Sequence, residues 1–283
     1  LNSSDTEELS EEDQVRSSSN PAFRNLPQGQ AGGYATFDRQ GGGMGGAAAY
    51  ADSRAAQGGY GRAGAGERPI TVDDIVLKTG LSAGTALVTG VLTAVSGLYG
   101  LALPAFVVGF VISLVLIFKS QWAKAPLVLL YSALMGVALG GITGLFNTIY
   151  PGIGLQAVIG TAGVFAGMLV VYKTGAVRVT PRFTKWLLGA MVGVIVLMLF
   201  NLVMSLFGIN TGLRDGGPLA IIFSLVVIGV AAFSLLLDFD QADRAVRGGA
   251  PASFAWYIAF GLMTTLVWLY LEILRLLSYL RQN

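Results

Sequence analysis

The chain contains no cysteine and no histidine. Those two absences remove disulfides, thiolate nucleophiles, the usual zinc sites and every triad built on imidazole. They leave the redox compartment open, and they mean that any response to pH must come from a carboxylate. Such a group titrates near neutrality only when desolvation or a second acid lifts its pKa. Charge is scarce as well: 12% of the 283 residues are charged and 54% are hydrophobic, against roughly 25% charged in soluble domains. This is the composition of a chain built for lipid.

The formal net charge of +2 is unevenly spread. Nine of the sixteen acids precede Pro69, whereas from Pro69 onward twelve basic residues stand against seven acids, a surplus of five. That surplus is too small and too scattered for a nucleic-acid surface, so no nucleic-acid partner is expected. Its placement bears on membrane topology instead.

The opening "LNSSDTEELSEED" is acidic and lacks the basic start and apolar centre of a signal peptide, which reads as a solvated tail. Its leading leucine fits either an unusual start codon or a processed end. From Gly29 to Gly66 the chain is Gly/Ala-rich with isolated aromatics such as Tyr34, Tyr50 and Tyr60. No periodic apolar face offsets the entropy of ordering, so residues 1–67 are expected to be a disordered leader and residues 68–283 the membrane domain. The glycines do not form a phosphate loop, because no strand precedes them and no Gly-Lys-Ser/Thr follows. Order begins at "RPITVDDIVLKTG", where Thr71 can cap a short interfacial helix carrying Asp73 and Asp74 in its first turn.

Seven apolar runs follow, each near the ~20 residues that a bilayer-spanning helix requires. They are Leu77 to Leu98, Leu101 to Phe118, Ala125 to Tyr150, Gly154 to Tyr172, Trp186 to Phe207, Pro218 to Leu237 and Phe254 to Leu280. An all-α membrane bundle of seven helices is therefore expected. Only the turn "YGLALP" separates the first two runs, which predicts a tight hairpin between them. "GVALGGITG" and "GTAGVFAG" offer small-residue faces that allow close helix packing. Lys119 and Lys124, then Lys173, Arg178, Arg182 and Lys185, then Arg244 and Arg247 occupy alternate loops, while the others hold only Arg214 beside Asp215. The expected arrangement is multi-pass in the cell membrane, with the amino terminus cytoplasmic and the carboxyl terminus outside.

Two acids stand out on this background. Glu272 is the sole acid of the seventh run, and Arg275 three residues on can meet it on the same helix face. A neutralising ion pair and one half of an ion or proton site are both open readings. Thr265, Trp268, Glu272, Arg275 and Tyr279 recur at spacings of three and four, a stripe that should face protein or water. The other acid is Asp238, which directly follows "FSLLL" and would sit on the last turn of the sixth helix, where the dipole favours cations. Such a cost points to a role, and a frayed, hydrated helix end is the simpler alternative. Asp240 and Asp243 read as solvated loop residues, the latter near Arg244 and Arg247.

These segments carry a resemblance. "LLLDFDQA" resembles the segment that ends the sixth helix of the Bax inhibitor, or transmembrane Bax-inhibitor-motif, family. "WLYLEILRLLSYL" is similar to the family's last helix, and "GTAGVFAGMLVVYKTGAVRVTPRF" to its fourth helix and the basic loop after it. The resemblance covers roughly Ile70 to Leu280, with the leader outside it, and "SNPAF" with the Gly-rich leader looks like actinobacterial relatives. It implies a seven-helix calcium leak sensitive to pH, without a bound cofactor. In such a leak two carboxylates, one at the end of helix six and one in helix seven, share a proton that sets whether the path is open. Asp238 matches the first. Glu272 is the acid available for the second, although counting back from "RLLS" puts the family's position nearer Trp268 or Thr265. A basic residue on helix two approaches the family's pair, and Lys119 is the nearest candidate, with Arg275 a second possible counter-ion. Paired carboxylates cannot both ionise cheaply, so losing the proton would part helices six and seven and leave two anionic groups for Ca²⁺ at Asp238 and Glu272.

Besides the bilayer and calcium ions, the resemblance admits a different partner, a membrane protease or other membrane protein bound by a non-conducting regulator. Deleting the leader should disable a regulator, and Asp238→Asn should disable a leak. An enzyme is not expected, because the chain has no His, Cys, Gly-x-Ser-x-Gly or carboxylate-rich metal cluster.

Overall fold

A computed structural model describes residues 67–209 and 211–282. The expected disordered leader, save Glu67, lies outside the described residues. Seven helices follow one another: α1 (Val72–Ser96), α2 (Ala102–Phe118), α3 (Ala125–Ile149), α4 (Ile153–Thr174), α5 (Pro181–Leu206), α6 (Pro218–Arg247) and α7 (Ala255–Gln282). Each is long and apolar enough to cross a membrane. Among the described residues the only extended pairing is an isolated bridge between Pro69 and Pro251.

The first helix departs from expectation at its start. Thr71 caps it in a reciprocal capping box with Asp74, but the helix then runs unbroken from Val72 to Ser96. The interfacial segment and the first span are thus one element, since nothing between Leu77 and Lys78 interrupts helical hydrogen bonding. Arg68 grips the Asp74 carboxylate with both guanidinium nitrogens at 2.6 and 2.7 Å, and this bond holds the Arg68 pKa above its ordinary value.

The α1–α2 hairpin is not tight. Both helices pack chiefly on α3 and make little contact with each other. Small residues decide this. A Cβ on Gly140 would fall inside the van der Waals radius of the Gly90 carbonyl oxygen of α1, and one on Gly144 would strike the ring of Tyr99. Lipid tails are as apolar as leucine, so helices associate through close backbone approach and interhelical hydrogen bonds. The stretch "GVALGGITG" supplies that approach. The second small-residue stretch does not: Gly163 and Gly167 of α4 meet nothing within 4 Å, and only Gly160 touches α7, at Ile273.

The centre of the bundle is α7, the most buried helix, which packs against α6, α1, α4 and α3. Polar bonds fix it there: Tyr131 and Thr264 share a bond at 3.1 Å, and Thr143 and Tyr270 share one at 2.7 Å. By contrast α5 buries only Leu187 and Val194 and packs mainly on α6. Phe183, Ala190, Met191 and Met198 pack partly against that small core, and most of its other apolar side chains are exposed, as lipid allows.

A short strap closes one end of the bundle. Ile70 N–H donates to the Ala250 carbonyl at 2.8 Å, and Ala252 N–H donates to the Arg68 carbonyl at 3.0 Å. Lys78 of α1 donates to the Ala252 carbonyl at 2.6 Å and lies over the Trp256 ring. The start of α1 is thereby tied to the loop joining α6 and α7.

Candidate functional site

Asp238 does not end its helix. The sixth helix continues nine residues beyond it to Arg247, because an apolar face persists at Leu235, Phe239, Ala242 and Val246 and the charges pair along the other face. Asp240 pairs with Arg244, and Asp243 with Arg247 at 2.7 Å, each four residues apart on α6. Acid before base at that spacing stabilises a helix, and the two arginines also suit the dipole of its last turn. The expected loop acids are therefore helical, and Asp238 is a mid-helix carboxylate. Opposition to the dipole no longer explains its cost. The cost comes from its surroundings.

Phe239 next to it is buried, with its ring 5.5 Å from Phe165 and 5.8 Å from Tyr172, which anchors this turn of α6 on α4. The carboxylate borders a cavity of ≈ 200 Å³ where α6 and α7 meet the end of α2. Ile117, Gln241, Tyr257, Ile258, Phe260 and Thr265 line it beside Asp238. Across the seam, Thr265 Oγ1 donates to Asp238 Oδ2 at 2.7 Å. The seam thus carries one acid and one hydroxyl, in the place where two acids were considered.

Glu272 lies elsewhere. It is seven residues beyond Thr265 on α7, a rise of about 10 Å, and it is buried. Its Oε1 accepts from Arg275 Nη1 at 2.7 Å, as the three-residue spacing predicts. Its Oε2 has no hydrogen-bond partner. No hydrogen bond joins Glu272 to Asp238: the two acids hold different partners, Arg275 and Thr265. Arg275 is the counter-ion of Glu272 alone. Lys119 is exposed at the end of α2, with Nζ 4.6 Å from the Trp122 ring centroid, and makes no ion pair with Asp238. Among the described residues no group of three or more His, Cys, Asp or Glu could hold a metal.

The polar stripe of α7 does face protein. Thr265 meets Asp238, Trp268 packs into the core, Glu272 meets Arg275, and Tyr279 donates to the Arg214 carbonyl at 3.3 Å. Gln241, Tyr257 and Thr264 were not singled out in the sequence. Gln241 could have been, since it lies three residues from Asp238 and so shares its helix face.

The chain matches the Bax inhibitor 1 like family over residues 12–282. It belongs to that family. As a Bax inhibitor 1 like chain with seven apolar helices, it is a multi-pass membrane protein. The family match begins at residue 12 and so includes most of the leader, which the sequence reading had left outside the resemblance. No curated protein matches this family member.

Proposed function

We propose that this family member is a pH-sensitive cation leak whose path passes the Asp238 cavity and whose titrating group is Asp238, calcium being the ion that the resemblance implies. The observation that carries the reading is a lone carboxylate, bonded across the α6–α7 seam to Thr265, on the wall of a cavity that no basic residue lines. An ionised Asp238 draws cations toward the seam, and protonation removes that attraction. Flux therefore falls as pH falls.

Other charged and titratable groups around α6 are already engaged. On α6 itself Asp240 and Asp243 hold Arg244 and Arg247, and Tyr172 of α4 donates to Asp243. On α7, Glu272 holds Arg275, and Tyr257 borders the cavity. Tyr131 of α3 is bonded to Thr264, Lys78 of α1 to the Ala252 carbonyl, and Lys119 of α2 covers Trp122. Arg182 and Lys185 lie at the start of α5. Asp238 is left as the acid free to answer pH in the cavity.

A cytoplasmic amino terminus and an outer carboxyl terminus complete the proposal. The strap supports it, because it joins the start of α1 to the α6–α7 loop beside Arg244 and Arg247, on the end where the positive-inside rule expects basic residues.

The test is calcium and potassium flux into liposomes bearing the full chain, over a pH series, for native protein, Asp238→Asn and Glu272→Gln. The reading expects pH-dependent native flux, loss of that dependence in Asp238→Asn and its retention in Glu272→Gln. Flux no greater than in empty liposomes for every variant would sink the leak. A non-conducting regulator that binds a membrane protease or other membrane protein would then lead.

A further inference from the structure

We infer that the α4–α5 loop and the first turns of α5 form a binding surface for anionic phospholipid headgroups, made by Lys173, Arg178, Arg182 and Lys185. This inference goes beyond the proposed leak and holds whether or not the chain conducts.

Local structure brings the four residues together. Helix α4 stops at Gly175, which is left-handed with φ 68° and gives its N–H to the Tyr172 carbonyl at 3.1 Å. Lys173 therefore stands on the last turn, where the helix dipole favours a cation. After the short loop, Thr180 caps α5 by accepting the Phe183 N–H at 3.2 Å, with Pro181 in the first turn. Arg182 and Lys185 follow three residues apart and share a helix face. No acid occurs from Lys173 to Lys185, so the loop is positive throughout.

The protein does not neutralise that charge. All four residues are exposed, and among the described residues none of them makes an ion pair. Seven successive spans place this loop at the same end of the bundle as the strap. Other basic groups at that end are engaged: Arg68, Arg244 and Arg247 each hold an aspartate, and Lys78 donates to a backbone carbonyl.

Depth decides what meets the loop. Trp186 directly follows Lys185 and is exposed, and tryptophan at the end of an apolar span settles at headgroup level. Arg182 lies one turn farther out, about 6 Å along the axis. Inward from Trp186 the exposed side chains are Leu188, Val192, Ile195 and Val196, which suit acyl chains. The surface is thus charged at the headgroups and apolar below them. A soluble acidic protein would match only the charged half, whereas an anionic phospholipid matches both. Arginine pairs with phosphate oxygens through two parallel bonds, and basic groups at a membrane surface attract anionic lipids. Protein contact leaves room for such a partner, since α5 buries only Leu187 and Val194 and packs mainly on α6.

The experiment titrates the full chain, in neutral detergent, with phosphatidylglycerol or with phosphatidylcholine of the same acyl chains. Bound lipid is counted by native mass spectrometry, and thermal unfolding is followed alongside. The native protein is compared with three double variants: Lys173→Gln with Arg178→Gln, Arg182→Gln with Lys185→Gln, and Lys119→Gln with Lys124→Gln. The last removes the same charge from the α2–α3 loop at the same end. Native protein should bind phosphatidylglycerol about a hundredfold more tightly than phosphatidylcholine, and each α4–α5 double should lower that preference about tenfold. The α2–α3 double should keep it. Equal affinity for the two lipids, retention of the preference in both α4–α5 doubles, or an equal loss in the α2–α3 double would overturn the inference. Displacement of the lipid by inorganic phosphate would overturn it too, because the site would then take a free anion.

Discussion

Thr265 of α7 donates its hydroxyl proton to Asp238 of α6 at 2.7 Å, which makes a threonine the partner of the one acid on the cavity wall. Thr265→Val removes the donor and keeps the shape, so the carboxylate loses its bond across the seam. The variant should unfold more easily by about 1–2 kcal/mol, and Thr265→Ser should restore most of that. Denaturation in detergent, followed by circular dichroism, checks both.

Helix α3 reaches α1 through bare backbone. Gly140→Ala puts a methyl group against the Gly90 carbonyl, and because the obstacle is backbone, the two helices must move apart. A loss of about 1–3 kcal/mol is expected. Gly163→Ala is the control: it faces open space and should be neutral, or gain up to about 1 kcal/mol from helix propensity. Thermal unfolding of the two single variants side by side separates close packing from a general intolerance of alanine.

The Glu272–Arg275 pair is a structural one. Glu272→Gln leaves Arg275 partly buried with no opposite charge and should cost about 3–5 kcal/mol. Replacing both residues by methionine should recover most of the loss, since two apolar side chains carry no uncompensated charge. Stability of the two singles and the double gives the coupling directly, and a double variant as unstable as the singles would refute the neutralising role.

Glu67 makes the strap sensitive to acid. Hydrogen bonds from Ser253, through its side chain first and then its backbone N–H, hold the Glu67 pKa below the usual carboxylate range. A group whose pKa is depressed by folding stabilises the fold above the unfolded value, and that contribution is lost as pH falls through the folded value. Protection of the Ser253 amide against exchange, measured relative to its intrinsic rate, should therefore fall on acidification below the ordinary carboxylate range. In Glu67→Gln that protection should already be lower at neutral pH and lack the acid step.

Hydropathy made the seven helices legible, because a bilayer demands long apolar runs whatever the packing. It misplaced the end of α6, since Asp238, Asp240, Asp243, Arg244 and Arg247 look like a loop when counted one by one. The last four look like a helix only when Asp240 is paired with Arg244 and Asp243 with Arg247. The supposed α1–α2 hairpin failed for another reason: a short linker fixes proximity along the chain, whereas contact was decided by Gly140 and Gly144 on a third helix. Glycines alone could not settle that, as Gly163 and Gly167 look similar in sequence and meet nothing. At the candidate site, Asp238 and the Glu272–Arg275 pair were visible because charge in an apolar run is rare. The partner of Asp238 was visible only in part: counting back from "RLLS" pointed to Trp268 or Thr265, but a hydroxyl has no such contrast, and the acid on α7 drew attention two turns too far along.

The most buried helix is also the seventh in sequence. Until α7 leaves the ribosome, α4 and α6 lack the helix that each packs against most, whereas α1 and α2 can already pack on α3, and the strap has no Ala252 to receive Lys78. During synthesis the bundle therefore lacks its centre until the last helix arrives. Thr143, Thr264's partner Tyr131, and Asp238 are then exposed to lipid or to the insertion machinery without their final bonds. Completion of the bundle is thus a late event that depends on the arrival of one helix.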